Sequence, residues 1–304
     1  MTGAQGRLAR ELVAQLTSAG ANHVTAAARA QLDITDEDAV RAAVGGHDVV
    51  VNTAAFTDVD AAERNESQAL AVNGAAVAGL ARSCARTGAT LLQISSDYVL
   101  AGNRESYAEG DRPDPINAYG RSKAAAEEAV SANALDGGYI IRTSWLYGGT
   151  GDNFLIRSLR ATIAGEPVYA LTDQRGCPTS TAALSRQLMG LGAAAVRGEA
   201  PPGIYHGVAT GFTTWHHFVQ SAYQLAGLAT DGIMPIRLAD LPLRAARPLH
   251  CVLSHERWRD AGVPIQPHWR EQLREMLGRP AYQSLIGRAR AISAARRNTK
   301  GEIK

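Results

Sequence analysis

Only three cysteines stand in the 304 residues, Cys84, Cys177 and Cys251, far apart along the chain. That scatter excludes a disulfide framework or a cysteine zinc cluster and fits a reducing cytoplasm. No apolar run approaches the roughly 18 residues that a membrane helix needs, and no signal peptide precedes the first motif. A cytoplasmic protein with no membrane partner is therefore expected. Charge is also nearly balanced, at a formal net of +2, and the basic residues are dispersed until the C-terminal tail, so no nucleic-acid partner is expected. The tail GRARAISAARRNTKGEIK from Gly287 gathers Arg288, Arg290, Arg296, Arg297, Lys300 and Lys304 with almost no large apolar residue. Residues 284–304 are expected to form a frayed helix running into a disordered basic end. His216 and His217 are adjacent, and neighbours on a helix point about 100° apart, which disfavours metal ligation.

What the chain does have is an ordinary globular composition, 45% apolar and 20% charged, and a clear alternation of elements. Short β-like runs, HVTAAA (23–28), DVVVNTAA (48–55), TLLQIS (90–95) and YIIRTSWLY (139–147), alternate with helical patterns beginning near Gly6, Asp36, Glu66 and Tyr119. This is the signature of an α/β fold, a doubly wound parallel sheet with right-handed crossovers. Beyond Gly148, prolines break the pattern into shorter pieces. The expected division is a nucleotide-binding domain over 1–147, onto which part of 204–225 packs back, and a smaller C-terminal substrate domain over 148–280.

TGAQGRLARELV opens the chain with Gly3-x-x-Gly6-x-x-Ala9 leading into a helix. Glycines here permit a tight turn and the approach of a pyrophosphate to a helix N-terminus. Such a turn follows a strand, yet only Met1 and Thr2 precede Gly3, so the first strand reads as truncated. A central strand is bonded on both sides, so the expectation is a start upstream of Met1 and an unstable 304-residue form. At the end of the second run stand Ala28 and Arg29, where an NAD site carries an acid for the ribose hydroxyl. A neutral residue followed by Arg29 favours the 2′-phosphate of NADPH.

Tyr119 and Lys123 are four residues apart in AYGRSKAAAEE, on one helical face. The expectation is that the ammonium lowers the pKa of the phenol and makes it a proton donor near neutrality. Ser96, in LLQISSDYVL at the end of a strand, would hydrogen-bond the same reacting oxygen.

Several segments occur in order at spacings that resemble the extended short-chain dehydrogenase/reductases, and within them the dTDP-4-dehydrorhamnose reductases. They include TGAQGRL, LDITD, NTAAFTDVDAAE, ISSDYV, PINAYGRSKAAAEEAV, IIRTSWLYG, DQRGCPTS, GIYHGVATGFTTWHHF and ARPLHCVLSHERW, and the likeness runs from Thr2 to about Leu277. The resemblance implies a Rossmann fold and reduction of the C4 ketone of a dTDP-4-keto-6-deoxy-hexose, with NADPH as cofactor and NADH permitted. It implies catalytic Ser96, Tyr119 and Lys123, the latter two also touching the cofactor. Gly3, Gly6, Arg7 and Leu8 would line the pyrophosphate turn, Asp33 and Ile34 would flank the adenine, and Thr53, Ala54 and Ala55 would pass under the cofactor. Thr57, Val59, Asp97 and Trp145 match positions that touch the sugar nucleotide, with Ser96 beside them, and Asn117 lies in a segment shaping that cleft. Trp145 is expected to stack its rigid face on a base or sugar.

The pattern is broken in four places: the missing strand, Ala9 for the third glycine, Ser96 where the family has Thr, and the metal position. Glu11 matches a carboxylate that holds Mg²⁺ between subunits in some members, but its partner position falls at Ala182, so a metal-bridged dimer is not expected. A monomer or a homodimer fits. The run Ser96-Asp97-Tyr98 lacks the second acid of a 4,6-dehydratase. Two alternatives stay open: a keto-sugar reductase of an antibiotic pathway, resembling dihydrostreptose synthase, and a non-catalytic NADP-binding regulatory subunit.

Overall fold

The computed structural model describes residues 1–301 except 22, 135 and 150, with side chains as far as 292. In chain order the first half holds α1 (Arg7–Ser18), α2 (Glu37–Val44), β1 (Val49–Asn52), α3 (Val59–Arg64), α4 (Glu66–Leu70), a π-helical turn (Ala71–Ala75), α5 (Ala76–Thr87), β2 (Thr90–Ser96), a 3₁₀ turn (Asp97–Val99), α6 (Ala118–Asn133) and β3 (Gly138–Thr143). The second half holds β4 (Leu146–Tyr147), α7 (Phe154–Ala164), β5 (Val168–Leu171), β6 (Arg175–Gly176), β7 (Thr179–Ser180), α8 (Thr181–Val196), β8 (Gly203–His206), β9 (Ala209–Thr210), β10 (Thr213–Thr214), α9 (Trp215–Leu225), β11 (Ile233–Ile236), a 3₁₀ turn (Leu238–Asp240), α10 (Arg257–Asp260), β12 (Gln266–His268), α11 (Trp269–Leu277) and α12 (Pro280–Gly301). None of the described helices is long and apolar enough to cross a membrane.

Helix starts follow local chemistry. Asp36, Asp58, Asn117, Asn153, Ser180 and Thr214 each accept a hydrogen bond from a first-turn amide that the helix itself cannot satisfy.

The main sheet has the order β1-β2-β3-β8, all parallel, in register Val50↔Leu91, Leu92↔Tyr139 and Ile141↔Tyr205. Its strands are apolar on both faces because helices cover both. On one side Val40, Val44, Val77, Leu80 and Val130 of α2, α5 and α6 meet Val50, Leu91 and Ile140. On the other, Leu8 and Leu12 of α1 and Leu184, Leu188 and Leu191 of α8 meet Leu92 and Ile141. A second core gathers Leu155, Phe218, Trp269, Leu273 and Tyr282 from α7, α9, α11 and α12.

Four sequence expectations are corrected. The run 23–28 makes no strand; Ala27 alone forms a bridge, to Thr2. Thr2 bridges Asn52 on its other side, its N–H donating to the Val51 carbonyl at 3.1 Å while Ala27 donates to the Met1 carbonyl at 2.9 Å. Met1 and Thr2 can supply only one rung to each neighbour, and without further partners the 23–28 backbone has no ladder to join. Beyond that rung, between Val24–Thr25 and Val49–Val51, opens a largely apolar cavity of about 320 Å³.

The run 139–147 is two strands in two sheets, because the chain turns sharply at Trp145 and β4 pairs with β7. The region 148–280 is less separate from the first domain than expected: α8 packs on α1, while β8 extends the main sheet at the start of the stretch expected to pack back. Last, α12 runs to Gly301 where a disordered end was expected, and Ile286 and Ala289 are buried in the second core, which anchors it. Residues 302–304 lie outside the described residues.

Candidate active site

The C-terminal ends of β1, β2 and β3 and the N-terminus of α1 open on one cleft of about 780 Å³. Gly3 has φ +65°, and a Cβ there would lie 2.7 Å from the Ala54 amide nitrogen, so the turn requires glycine. Gly6 begins α1 with no side-chain cap, and no acid stands in the first turn. The free amides and the positive helix end thus face the cleft, with Arg7 beside them donating to the Asp152 carbonyl. Gly6, Arg7, Leu8, Thr53, Ala54, Ala55, Thr57, Val59, Ser96, Asp97, Tyr119, Lys123 and Trp145 all line this cleft.

Four expected cofactor residues do not line it. Gly3 supports it from behind. Ile34 is core, 4% exposed. Arg29 has an 80% exposed side chain and reaches Asp33 at 3.4 Å, while Asp33 accepts from the Thr35 amide and hydroxyl. Asn117 caps α6 and donates to the Ala246 carbonyl, shaping the surroundings without entering the cleft.

Ser96 ends β2, accepting from the Tyr98 amide at 3.2 Å and donating to the Asp97 carboxylate at 3.1 Å. Gly120 lets α6 lie against the Tyr98 carbonyl, where any Cβ would overlap that oxygen, and this brings Tyr119 up to Ser96. The half-buried Tyr119 phenol is pushed up to about 12 by burial, opposed by the polar contact with the Ser96 hydroxyl. The buried Lys123 ammonium donates to the Ile94 carbonyl at 2.6 Å and is lowered to about 8 by burial, opposed by Glu127. The expected effect of Lys123 on the phenol is therefore corrected: burial governs Tyr119, and the ammonium is turned to a strand carbonyl. Asp97, 3% exposed, is raised to about 7 by burial, with Ser96 holding it down.

The cleft also holds residues that no motif reading assigned. Thr143, Tyr147 and Thr181 line it with hydroxyls that are sealed from solvent and have no hydrogen-bond partner among the described residues. Buried polar groups are ordinarily satisfied, so these three hydroxyls are exceptions in the wall of the cleft. Arg157 and Trp215 lie on the same wall. Trp215 stands in GFTTWHHF, a segment notable in the sequence, but its role depends on a neighbour 70 positions away. Trp145 is corrected in orientation: its ring is stacked on Trp215, with centroids 3.9 Å apart and planes 9° apart, so that face is not open to a base or sugar.

Glu11 does not present a vacant carboxylate. Arg279 donates to both its oxygens, at 2.7 and 3.0 Å, and Ala182 is buried close by.

A doubly wound sheet whose central strands end at a Ser/Tyr/Lys trio, beside a glycine turn and an uncapped helix, defines a nucleotide-dependent oxidoreductase of the short-chain dehydrogenase/reductase type. A family model described as the RmlD substrate binding domain matches residues 1–281. The dTDP-4-dehydrorhamnose reductase of Streptomyces griseus is 44% identical over 95% of this chain and 94% of its own length. The dTDP-4-keto-6-deoxy-D-glucose reductase of Streptomyces niveus is 41% identical over 88% and 92%. The crystal structure of dTDP-4-dehydrorhamnose reductase from Bacillus anthracis in complex with NADP is 32% identical, covers 91% of this chain and 96% of its own, and superposes with a TM-score of 0.85. The chain belongs to the dTDP-4-dehydrorhamnose reductase family.

Proposed function

We propose that this protein uses NADPH to reduce the C4 ketone of a dTDP-4-keto-6-deoxy-hexose, and that its preferred reaction is dTDP-4-dehydro-L-rhamnose to dTDP-L-rhamnose. The observation that carries this reading is the convergence of Ser96, Tyr119 and Lys123 on the cleft that also receives the uncapped N-terminus of α1. A dinucleotide fits the residues present: its pyrophosphate would meet the α1 amides and Arg7. When bound, the reduced nicotinamide supplies the hydride. Tyr119 gives its phenolic proton to the ketone oxygen, so that carbon and oxygen each gain one hydrogen and the product is an alcohol. Ser96 donates to the same oxygen and stabilises its developing charge. Lys123 holds the nicotinamide ribose with its remaining ammonium hydrogens. Thr57, Val59, Asp97 and Trp145 form the sugar side, and Arg29 turns to the cofactor's 2′-phosphate. NADH serves as a lesser cofactor.

Residues 1–147 act as the nucleotide half and 148–280 mainly as the substrate half of a cytoplasmic monomer or homodimer. A second reading is a keto-sugar reductase of an antibiotic pathway; the likeness to the dTDP-4-keto-6-deoxy-D-glucose reductase of Streptomyces niveus supports a keto-sugar substrate other than dTDP-4-dehydro-L-rhamnose. The intact trio weighs against a purely regulatory NADP-binding role. Incubation with NADPH and enzymatically prepared dTDP-4-keto-L-rhamnose, with NMR identification of the product, tests the assignment. dTDP-L-rhamnose is expected; a different 4-hydroxy epimer favours the second reading, and no NADPH consumption refutes both.

A further inference from the structure

Trp145 has φ +45°, the one non-glycine residue with positive φ among the described residues. A left-handed backbone is strained for a residue with a Cβ and persists only where the surroundings impose it. Two neighbours impose it here, and one short strand pairing delivers both. β6 and β10 pair antiparallel, Gly176 opposite Thr213, so Gly176 and Trp215 arrive together. Trp215 stacks on one face of Trp145 and is itself fixed by its Nε1–H donating to Gln174 at 2.8 Å and by the edge of Phe154 at 4.7 Å. A Cβ on Gly176 would lie 2.5 Å from Cε2 and 2.8 Å from both Cζ2 and Nε1 of Trp145. Near-equal distances to three bonded ring atoms put Gly176 over the ring's other face. Both faces of Trp145 are taken.

What the indole offers the cleft is its edge. Its Nε1–H has no acceptor among the described residues, yet is not among the groups sealed from solvent. In the main sheet Ser96 is in register with Thr143, two residues before Trp145, and Trp145 lines the same cleft as Ser96 and Tyr119.

The geometry points to Trp215 and Gly176 as positioning residues that clamp Trp145 edge-on, so that its N–H donates to a hydroxyl or ring oxygen of the hexose next to the ketone. This deepens the proposed function and rests on it. The contact is to the sugar and not to the dTDP portion or the cofactor.

The test uses Trp145→Phe, which keeps an aromatic ring without the N–H, Gly176→Ala and Trp215→Ala, which open or crowd the clamp, and Trp215→Phe, which retains a stacking ring. Steady-state kinetics with the dTDP-4-keto-6-deoxy-hexose are read alongside calorimetric affinities for NADPH and for dTDP alone. Loss of one neutral hydrogen bond should raise KM for the keto-sugar roughly two- to tenfold in the first three variants. Affinities for NADPH and dTDP should hold, and Trp215→Phe should recover much of the loss. Unchanged KM in Trp145→Phe, or an equal loss of dTDP affinity, overturns the assignment. Retained NADPH and dTDP affinities rule out misfolding as the cause of a raised KM. A wild type inert toward the keto-sugar would refute the functional reading itself, and the assigned acceptor with it.

Discussion

Glu127 of α6 and Arg142 of β3 form a buried ion pair, with the guanidinium Nη2 and Nε at 2.8 and 3.0 Å from the carboxylate oxygens. Ser95 donates to the same carboxylate at 2.6 Å, so α6, β2 and β3 are joined one residue from Ser96 and one helical turn from Lys123. Removing one partner of such a pair leaves a bare charge in the core, whereas replacing both by apolar residues can be neutral. Glu127→Gln is expected to cost about 3–5 kcal/mol, a Tm drop on the order of 10 °C. The double replacement Glu127→Leu with Arg142→Met should recover most of it by calorimetry. A Glu127→Gln protein as stable as wild type would show that the pair is not a structural tie.

Tyr119→Phe removes only the transferable proton. Turnover should fall about 10²–10⁴-fold while NADPH affinity, measured by calorimetry, holds. A variant retaining more than about a tenth of the wild-type rate would exclude Tyr119 as the proton donor.

Asp97 gives stability a pH dependence of known sign. Its folded pKa is raised by burial to about 7 from 3.8, so between those values the folded state holds a proton that the unfolded state has lost. The stabilising contribution is complete below about pH 4 and is lost as pH rises toward 7. Asp97→Asn lacks this titration. Compared by chemical denaturation, the variant should gain on wild type across that window, and parallel curves would mean that Asp97 is ionised throughout.

Arg29 does not line the cleft; its side chain is 80% exposed and paired only at 3.4 Å with Asp33. A guanidinium there can turn to a 2′-phosphate in a two-point contact that NADH does not offer. Arg29→Ala should raise KM for NADPH and leave KM for NADH unchanged; equal effects on both cofactors would refute the assignment.

Periodicity was enough to indicate three of the four parallel strands of the main sheet, β1, β2 and β3, and the four-residue spacing was enough to put Tyr119 and Lys123 on one helical face. Buried parallel strands need unbroken apolar runs such as TLLQIS, and i,i+4 geometry alone puts two side chains of one helix on the same face. Local sequence could not say whether 23–28 would form a strand, because a strand exists only with a partner, and Met1 and Thr2 offer a single rung. Nor could it tell the direction of the Lys123 ammonium or the pKa of Tyr119, which depend on desolvation by distant segments. Trp145 is the sharpest case. Its residue type and place after β3 were legible, but whether it shows a face or an edge was decided by Gly176 and Trp215, brought to it by the pairing of β6 with β10. Contacts between residues dozens of positions apart carry no local signal, so only the tertiary structure could settle them.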